Sequence, residues 1–514
     1  MNLADFGLVP TSAACNVPAV QAAATAAQLL VTCRAAARGG GRLVAVWLSD
    51  ERDRRQGFCL HVAIEDAGGL ALLEHTMPEG DVQYPDLAQI FPSAARMQRA
   101  AFDLMGVPSD GDDQRPWIWM ASWPIDQFPL RRDFAALDKW QPGEEEYSFV
   151  RVAGDGVHEI AVGPVHAGII EPGHFRFQVV GEKVLRLEER LGWVHKGIEK
   201  RFESLSLVEG ARLAGRVSGD STVAYTWAYA QALESAAGVE VPSRAQWLRA
   251  LLLERERIAN HLGDLGYLGN DAGFAFGLAQ FSRLKEDFLR TNLAAFGHRL
   301  LMDAIVPGGV ARDLSPEHGE RIREECERIA REVQATRGIY DEHAGVQDRF
   351  RNCGRVTPEL ARTLGLVGFA GRASGQSLDL RCDFPAAPYD GLNVRKVTAA
   401  GGDVAARVAV RFDEIFESLR LVSAIAASLP QGAIAAPLGD VPALRTGLGY
   451  VEGWRGPVLI ALASGPGGAI RRCHAHDPSW QNWPVLEHAI IDNIVPDFPL
   501  INKSFNLSYS GHDL

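Results

Sequence analysis

The stretch Phe175-Arg176-Phe177-Gln178-Val179-Val180 alternates apolar and polar side chains, as expected of a strand that buries one face. Gly181-Glu182 follows it and can form a tight turn, after which Val184-Leu185-Arg186-Leu187 repeats the alternation. The shorter run Glu159-Ile160-Ala161-Val162 precedes both. This pattern predicts a small antiparallel sheet.

Beyond Ile198 the spacing of apolar residues changes from two to three and four, which is typical of amphipathic helices. One helix is predicted to open at Pro242 and to run to about His261. Two further helices are predicted from the apolar stripes Ile322, Cys326, Ile329, Val333 and Val404, Val408, Phe412, Ile415, Leu419, Val422, Ile425. Residues 151–514 therefore predict a large, mainly α-helical bundle domain with an antiparallel β elaboration at its start.

Toward the N-terminus, short β-rich runs alternate with alanine-rich helical stretches. Strands are predicted over 43–48, 60–64 and 70–73, and a helix over 94–106 with Ser93 as its N-cap and Gly106 as its end. The fold class is therefore α+β. We expect a small α+β domain over residues 1–140, a polar, turn-rich linker over 141–150, and the helical domain over 151–514.

Charge and hydropathy exclude two classes of protein. The 514 residues include 52 Lys and Arg and 64 Asp and Glu, which gives a net charge of −12. A nucleic-acid-binding protein needs an excess of basic residues to contact phosphates, so this class is excluded. No apolar run approaches the roughly 20 residues needed to span a bilayer, and Met1–Asp5 lacks the basic start of a secretory signal. We expect a cytoplasmic chain that reaches a membrane only through partner subunits.

The seven cysteines are scattered and form no CxxC pair. This spacing argues against a disulfide framework and against a zinc or iron–sulfur site held by this chain. The sequence also contains no GxGxxG and no GxxxxGK[ST], so neither a Rossmann dinucleotide site nor a P-loop is indicated. The glycine-rich stretch Gly465-Pro466-Gly467-Gly468 is predicted to be a turn. No cofactor bound by the chain itself is expected.

Residues 163–176, GPVHAGIIEPGHFR, resemble a motif of the large subunit of membrane-bound group 4 [NiFe] hydrogenases, of the formate hydrogenlyase and hydrogenase-4 type, and of the related 49-kDa-type subunit of complex I. Residues 103–106 (DLMG) and 129–133 (PLRRD) resemble motifs of the 30-kDa-type subunit, fused in front. The likeness covers nearly the whole chain in the family's order. Further similar segments are 193–200, 242–246, 257–262, 307–310, 372–375, 379–381 and 452–456.

The resemblance implies a nickel–iron centre held by four thiolates, because soft sulfur ligands hold nickel and bridge it to iron. At the four positions that match those cysteines, this chain has Ser218, Ser221, Ser508 and Gly511. A serine hydroxyl is a hard, poorly acidic ligand, so we expect that no nickel site survives. Family hydrogenases also carry a C-terminal extension that is clipped after nickel insertion. The sequence stops at Leu514, close to that point, which suggests either the loss of maturation or merely a ragged terminus.

The polar residues that surround the metal in the family are partly retained. Glu171 matches a glutamate that passes protons, and Arg455 matches an arginine above the metal whose guanidinium could bind a polar ligand. Asp379 and Arg381 are expected to form a buried ion pair that shapes the same cavity. His174 is a candidate ligand for a quinone, and its alternative is a structural strand histidine. These five residues are the candidate catalytic set, with a turn residue as the alternative for Glu171.

Other family positions have changed. The resemblance places the histidine and tyrosine that hold a quinone headgroup in complex I at Pro172 and Gly219, so neither ligand is present. Asp220 adds a carboxylate, with a solvated helix end as its alternative role. His195 and His261 are expected to orient loops. His474 and His476 could be a metal pair but are more often surface residues.

The resemblance implies a hetero-oligomeric, membrane-associated, complex I-like oxidoreductase complex that couples electron transfer to ion translocation. Its expected partners are an iron–sulfur small subunit of the 20-kDa type and membrane ion-pump subunits, with the chain peripheral at the inner face of the cell membrane. Two alternatives stay open. One is a quinone-reducing subunit of an NADH dehydrogenase-like complex, and the other is a structural platform without redox chemistry.

Overall fold

The computed structural model describes residues 2–78, 80, 82–121, 123–135, 140, 141, 143, 147–166 and 170–514. Its strands are β1 (Thr11–Ser12), β2 (Ala14–Cys15), β3 (Ala19–Ala23), β4 (Arg42–Asp50), β5 (Phe58–Asp66), β6 (Gly69–Met77), β7 (Val157–Val162), β8 (His174–Val180), β9 (Lys183–Arg190), β10 (Ile305–Val306), β11 (Gly309–Val310), β12 (Thr446–Glu452), β13 (Pro457–Ser464) and β14 (Ile470–His476).

The helices pack against these sheets and against one another. They are α1 (Ala26–Arg38), α2 (Ala94–Met105), α3 (Ile198–Phe202), α4 (Leu207–Ala214), α5 (Thr222–Ala237), α6 (Ser243–Asp271), α7 (Ala275–Phe296), α8 (Pro316–Glu342), α9 (Ala344–Phe350), α10 (Pro358–Leu364), α11 (Gly368–Arg372), α12 (Leu380–Asp383), α13 (Tyr389–Leu392), α14 (Val404–Ser428), α15 (Ser479–Ala489), α16 (Phe498–Phe505) and α17 (Tyr509–Asp513). The α+β class predicted from the sequence is confirmed.

The N-terminal sheet has the strand order β1-β3-β6-β5-β4, and α2 packs on β4. The three strands predicted here are confirmed. The predicted helix also forms and ends at Gly106, whose φ of 66° is easily reached only by glycine. The prediction that Ser93 caps the helix is wrong: its backbone is already helical and its side chain caps no N–H.

The predicted hairpin also forms. Strands β7, β8 and β9 make an antiparallel sheet in which Phe175 and Phe177 are fully buried. The predicted linker lies between the two sheets along the chain. Pro142 and residues 144–146 of that linker fall outside the described residues, so the proposed boundaries at 140 and 151 stay a prediction.

The helical layer is built around α6, which packs against α7 and α14, while α14 packs against α8. Helix α6 runs ten residues beyond the predicted end at His261. The extension contains glycines at positions where side chains of neighbouring helices approach the α6 backbone closely. A Cβ on Gly266 would lie 3.1 Å from Phe281, and one on Gly269 would lie 2.2 Å from the Tyr340 hydroxyl.

A third sheet, with the order β14-β13-β12-β2, was not predicted. Two of its glycines, Gly447 and Gly449, weaken the strand pattern of β12. Each lies so close to a backbone carbonyl of α5 that a Cβ would be 1.9 or 1.8 Å away. This sheet therefore packs directly on the helix backbone, and its edge strand β2 comes from the N-terminal segment. The Gly465–Gly468 stretch is the predicted turn, between β13 and β14.

No helix within the described ranges is long and apolar enough to cross a membrane.

Candidate functional site

The four positions that match the metal-binding cysteines lie together beside a cleft of about 340 Å³. The loop before α5 supplies one wall, and the middle of α6 supplies a second. The turn after β12 and the loop between α16 and α17 close the site. Its polar lining comprises Glu171, Ser218, Asp220, Asn260, Asp264, Tyr267, Lys285, Arg455, Asn502, Lys503, Asn506, Ser508, Tyr509 and Ser510.

A bidentate ion pair between Asp220 and Arg455 occupies the floor of this cleft. The two guanidinium nitrogens of Arg455 lie 2.7 and 2.6 Å from the carboxylate oxygens, and its Nε donates to the Asn506 carbonyl at 2.5 Å. Burial favours the neutral acid, but the facing guanidinium outweighs it, so the pKa of Asp220 is lowered from its usual range. Asp220 is therefore an ionised partner of Arg455 and not a free helix-end carboxylate.

Three of the four cysteine-equivalent positions belong to the hydrogen-bond network of this pair. The hydroxyl of Ser218 donates to Asp220 at 2.8 Å and lies 3.0 Å from the hydroxyl of Ser508. Ser221 accepts from Arg455 at 3.2 Å and from the indole N–H of Trp454 at 3.1 Å. The serines thus hold the carboxylate and the arginine in place.

The fourth position has no room for a side chain. A Cβ on Gly511 would lie 2.4 Å from Oδ2 of Asp477 and 2.8 Å from the hydroxyl of Ser508. The Asp477 oxygen is itself fixed by the Tyr225 hydroxyl, which donates to it at 2.6 Å. The Gly511 N–H donates to Ser508 at 2.8 Å, which uses that hydroxyl as the N-cap of α17.

These residues do not fit a nickel–iron centre. The four positions offer three hydroxyls and a glycine in place of thiolates, and the hydroxyls already serve an ion pair and a helix cap. A carboxylate fills the space that a side chain at position 511 would need.

The candidate catalytic residues do not all share the cleft. Glu171 lines it and accepts a hydrogen bond from the Ser510 N–H at 3.0 Å. His174 instead faces a separate pocket with Arg176 and Trp193. Its Nδ1 lies 3.3 Å from the Gly163 carbonyl, and its burial lowers its pKa. His174 therefore does not share the cleft with Glu171 and Arg455.

Asp379 and Arg381 form the predicted buried ion pair, at 2.7 Å, but they lie outside the cleft. They belong to a group of buried charges contributed by α6, α11, α14, β12 and the start of α12, which we call the ionic cluster. Its members are Glu254, Arg257, Arg372, Asp379, Arg381, Glu414 and Glu452. Arg372 is central to it, since it binds Glu414 at 2.7 Å and Glu452 at 2.8 Å.

The two positions that match quinone ligands offer no donor. Pro172 precedes β8, and Gly219 lies at the cleft with nothing within 4 Å of where its Cβ would be. Neither residue can donate a hydrogen bond from its side chain.

Four further histidines singled out from the sequence lie outside the cleft lining. His474 and His476 are buried and not at the surface as predicted. His474 binds Glu199 at 2.7 Å, and burial lowers the pKa of His476 to about 3. As expected, His195 fixes a loop, because its Nδ1 lies 2.8 Å from the Asp513 carbonyl. His261 contacts Glu414 at 2.9 Å in the helical core.

Sequence reasoning missed three contributors. Asp477 follows β14 and Lys285 lies on α7, and neither falls in a segment with a recognisable pattern. Glu256 on α6 lies behind Asp220 and accepts hydrogen bonds from the N–H groups of Val223 and Ala224. Its burial raises its pKa to about 8, against the opposing effect of these two hydrogen bonds.

Two protein-family models match the chain. The model of the respiratory-chain NADH dehydrogenase 49 Kd subunit matches residues 271–446, and that of the 30 Kd subunit matches residues 21–139.

Among curated proteins, formate hydrogenlyase subunit 5 of Escherichia coli (strain K12) is 31% identical over 485 residues, which cover 92% of this chain and 85% of the relative. Hydrogenase-4 component G of the same organism is 31% identical, with 92% and 84% covered. An NADH-quinone oxidoreductase subunit of Phocaeicola vulgatus is 27% identical, with 74% and 77% covered.

Among solved structures, a chain of a membrane-bound sulfane sulfur reductase, an archaeal respiratory membrane complex, matches with a TM-score of 0.65. It is 24% identical, and the match covers 71% of this chain and all of that chain. This match supports the fold.

Proposed function

Because this chain belongs to the family of group 4 [NiFe] hydrogenase large subunits and complex I 49-kDa-type subunits, with a 30-kDa-type domain fused in front, we propose that it is a subunit of a membrane-associated, complex I-like oxidoreductase. In this role it couples electron transfer in a partner to ion translocation and carries no nickel–iron centre of its own.

The observation that carries the proposal is the rebuilt metal position. The scaffold around it is retained, since six sequence-distant segments converge on one cleft. Its centre now holds the Asp220–Arg455 pair and the Asp477 carboxylate. Retention of the scaffold with loss of the ligands fits a chain that still assembles with partners but does not activate hydrogen.

The proposed partners are an iron–sulfur small subunit, which would supply electrons near the cleft, and membrane subunits that move ions. The chain would then lie at the inner face of the cell membrane, held there by those subunits. The position of Glu171, with its carboxylate on the cleft wall and bound to the Ser510 N–H, suits a group that senses charge in the cleft.

The test is purification of the tagged chain from membranes of its native host in mild detergent, with mass spectrometry of its partners and elemental analysis. We expect an iron–sulfur subunit and membrane subunits, with iron and without nickel. Nickel near one per chain would contradict the loss of the centre. A monomeric chain with neither metal would contradict the role in a complex.

A second measurement separates coupling from a passive platform. Glu171→Gln in the purified complex should lower ion translocation relative to electron transfer, whereas Glu182→Gln, in an exposed hairpin turn, should change neither. Equal translocation by both variants would favour a passive platform. A loss of electron transfer in Glu171→Gln would instead favour redox chemistry in the cleft itself.

A further inference from the structure

The lysines of this protein divide into two groups. There are seven, and Lys139 falls outside the described residues. Three bind a carboxylate at 2.5–3.0 Å, namely Lys183, Lys200 and Lys396. The other three described lysines, Lys196, Lys285 and Lys503, have no carboxylate of the described residues within ion-pair distance, and all three lie at or directly behind the cleft.

These three ammonium groups are held in place by other contacts. Lys285 is half-buried, and its Nζ lies where a side chain on Gly263 would be, at 2.6 Å from the position of a Cβ. Lys503 lies 5.0 Å from the ring centre of Tyr267. Lys196 donates to the Val217 carbonyl at 3.0 Å, next to the cleft wall. Lys285 thus packs over Gly263 and Lys503 over Tyr267, both on α6, while Lys196 is hydrogen-bonded behind the cleft.

The carboxylates that line the cleft form no ion pair with Lys285 or Lys503 among the described residues. Asp220 is taken by Arg455, and Asp264 is bound by Arg411 at 3.1 Å and by the Asn506 amide at 2.6 Å. Glu171 is the one lining carboxylate, of those described, that has no arginine partner. Two of the three lining carboxylates are thus bound by arginines, which leaves Lys285 and Lys503 without an ion pair among the described residues.

We propose that the cleft is a binding site for a small anion, a carboxylate or an oxyanion, held by Lys285 and Lys503. A partly buried ammonium group needs a counter-charge, and the volume of about 340 Å³ suits a small molecule. Amide and hydroxyl groups of Asn260 and Ser508 line the same space and can orient the ligand. The inference rests on the proposed function only in using the same cleft, since it concerns binding by the chain itself.

Isothermal titration of the purified full chain with inorganic phosphate and with succinate, at constant ionic strength, tests the proposal. We expect at least one probe to bind, and Lys285→Met and Lys503→Met each to weaken its Kd about tenfold. Lys183→Met is the matched control, because it removes a lysine of the other group, and it should leave Kd unchanged. Binding of phosphate alone would identify an inorganic oxyanion, and binding of succinate alone an organic acid.

The proposal is overturned if neither probe binds at millimolar concentration, or if the two cleft variants and the control bind equally. Circular dichroism of each variant confirms that it is folded. The outcome is independent of the partner search, because a chain that assembles with no partner can still bind the anion, and an assembled complex can fail to bind it.

Discussion

Helix α6 borders two polar regions, the ionic cluster and the cleft, which differ in whether their cations form ion pairs. In the ionic cluster Arg372 is 1% exposed and its guanidinium reaches Glu414 and Glu452, while Arg381 reaches Glu254 and Asp379. In the cleft, Lys285 and Lys503 are half-buried and bind no carboxylate of the described residues. Every charged group of the cluster has an ion-pair partner, whereas the cleft is open and holds two lysines that form no ion pair among the described residues.

The difference separates scaffold from site. A charge removed from water is tolerated only when it is paired and hydrogen-bonded, so the cluster serves to hold α6, α12 and α14 in one arrangement. In the cleft, the ammonium groups of Lys285 and Lys503 can be hydrated by water or can bind a ligand. Removal of a single charged group should therefore destabilise the protein far more in the cluster than in the cleft.

Arg372→Met should have the largest effect, because it leaves the buried carboxylates of Glu414 and Glu452 without their central cation. We expect the free energy of unfolding to fall by about 3–5 kcal/mol. Urea unfolding followed by circular dichroism measures this change. The matched control is Arg323→Met, which removes an exposed partner of Glu320 and should cost about 0–1 kcal/mol. Equal losses in the two variants would mean that the cluster does not hold the scaffold.

The cluster also illustrates what sequence can predict. The Asp379–Arg381 pair was expected to be buried, and it is, because the two residues are close in the chain and their geometry is local. The sequence could not show that the pair lies away from the cleft, since its neighbours Glu254 and Arg372 come from other helices. Strands and helices with a regular period were predicted in the same local way.

Long-range placement explains the other differences. The strand β12 escaped prediction because Gly447 and Gly449 serve a contact with α5 that no local pattern reveals. The cleft was predicted from the family motifs, but Asp477 and Lys285 were not, because nothing near them in the chain marks them as its neighbours.

Gly511→Ala tests how tightly the former metal position has closed. The added methyl group would lie 2.4 Å from Asp477 Oδ2, so it must displace a carboxylate that Tyr225 holds. We expect a loss of about 1–3 kcal/mol of unfolding free energy, measured by urea denaturation. Gly219→Ala is the matched control in the same cleft, since nothing lies within 4 Å of its Cβ, and it should cost far less. If both variants were equally stable, position 511 would have room for a ligand side chain.

Asp220→Asn should have a smaller effect, although it breaks a bidentate pair. The Asp220 side chain is 39% exposed, so water compensates in part for the lost ion pair with Arg455. We expect a loss of about 1–2 kcal/mol at neutral pH. Thermal unfolding of the wild type and the variant measures it.

The pH dependence of this difference has a defined sign. The pKa of Asp220 is lowered in the folded state, so its contribution is fully present above the ordinary pKa of about 3.9 and is lost as the pH falls through the lowered value. The stabilities of wild type and Asp220→Asn should therefore converge below about pH 4. A difference that stays constant from about pH 7 to about pH 3 would assign the effect to packing and not to charge.

Lys285→Met should have the smallest effect, and it is the sharpest test of the contrast with Arg372→Met. Both variants replace a cation with a thioether of similar length, one in the cluster and one in the cleft. Lys285 binds no carboxylate of the described residues, and its ammonium group rests on the bare backbone of Gly263, so its removal leaves no charge unpaired. We expect the unfolding free energy to stay within about 0.5 kcal/mol of the wild type, measured by urea denaturation as for Arg372→Met. A loss comparable to that of Arg372→Met would mean that Lys285 is part of the scaffold and that its charge is not held in reserve for a ligand.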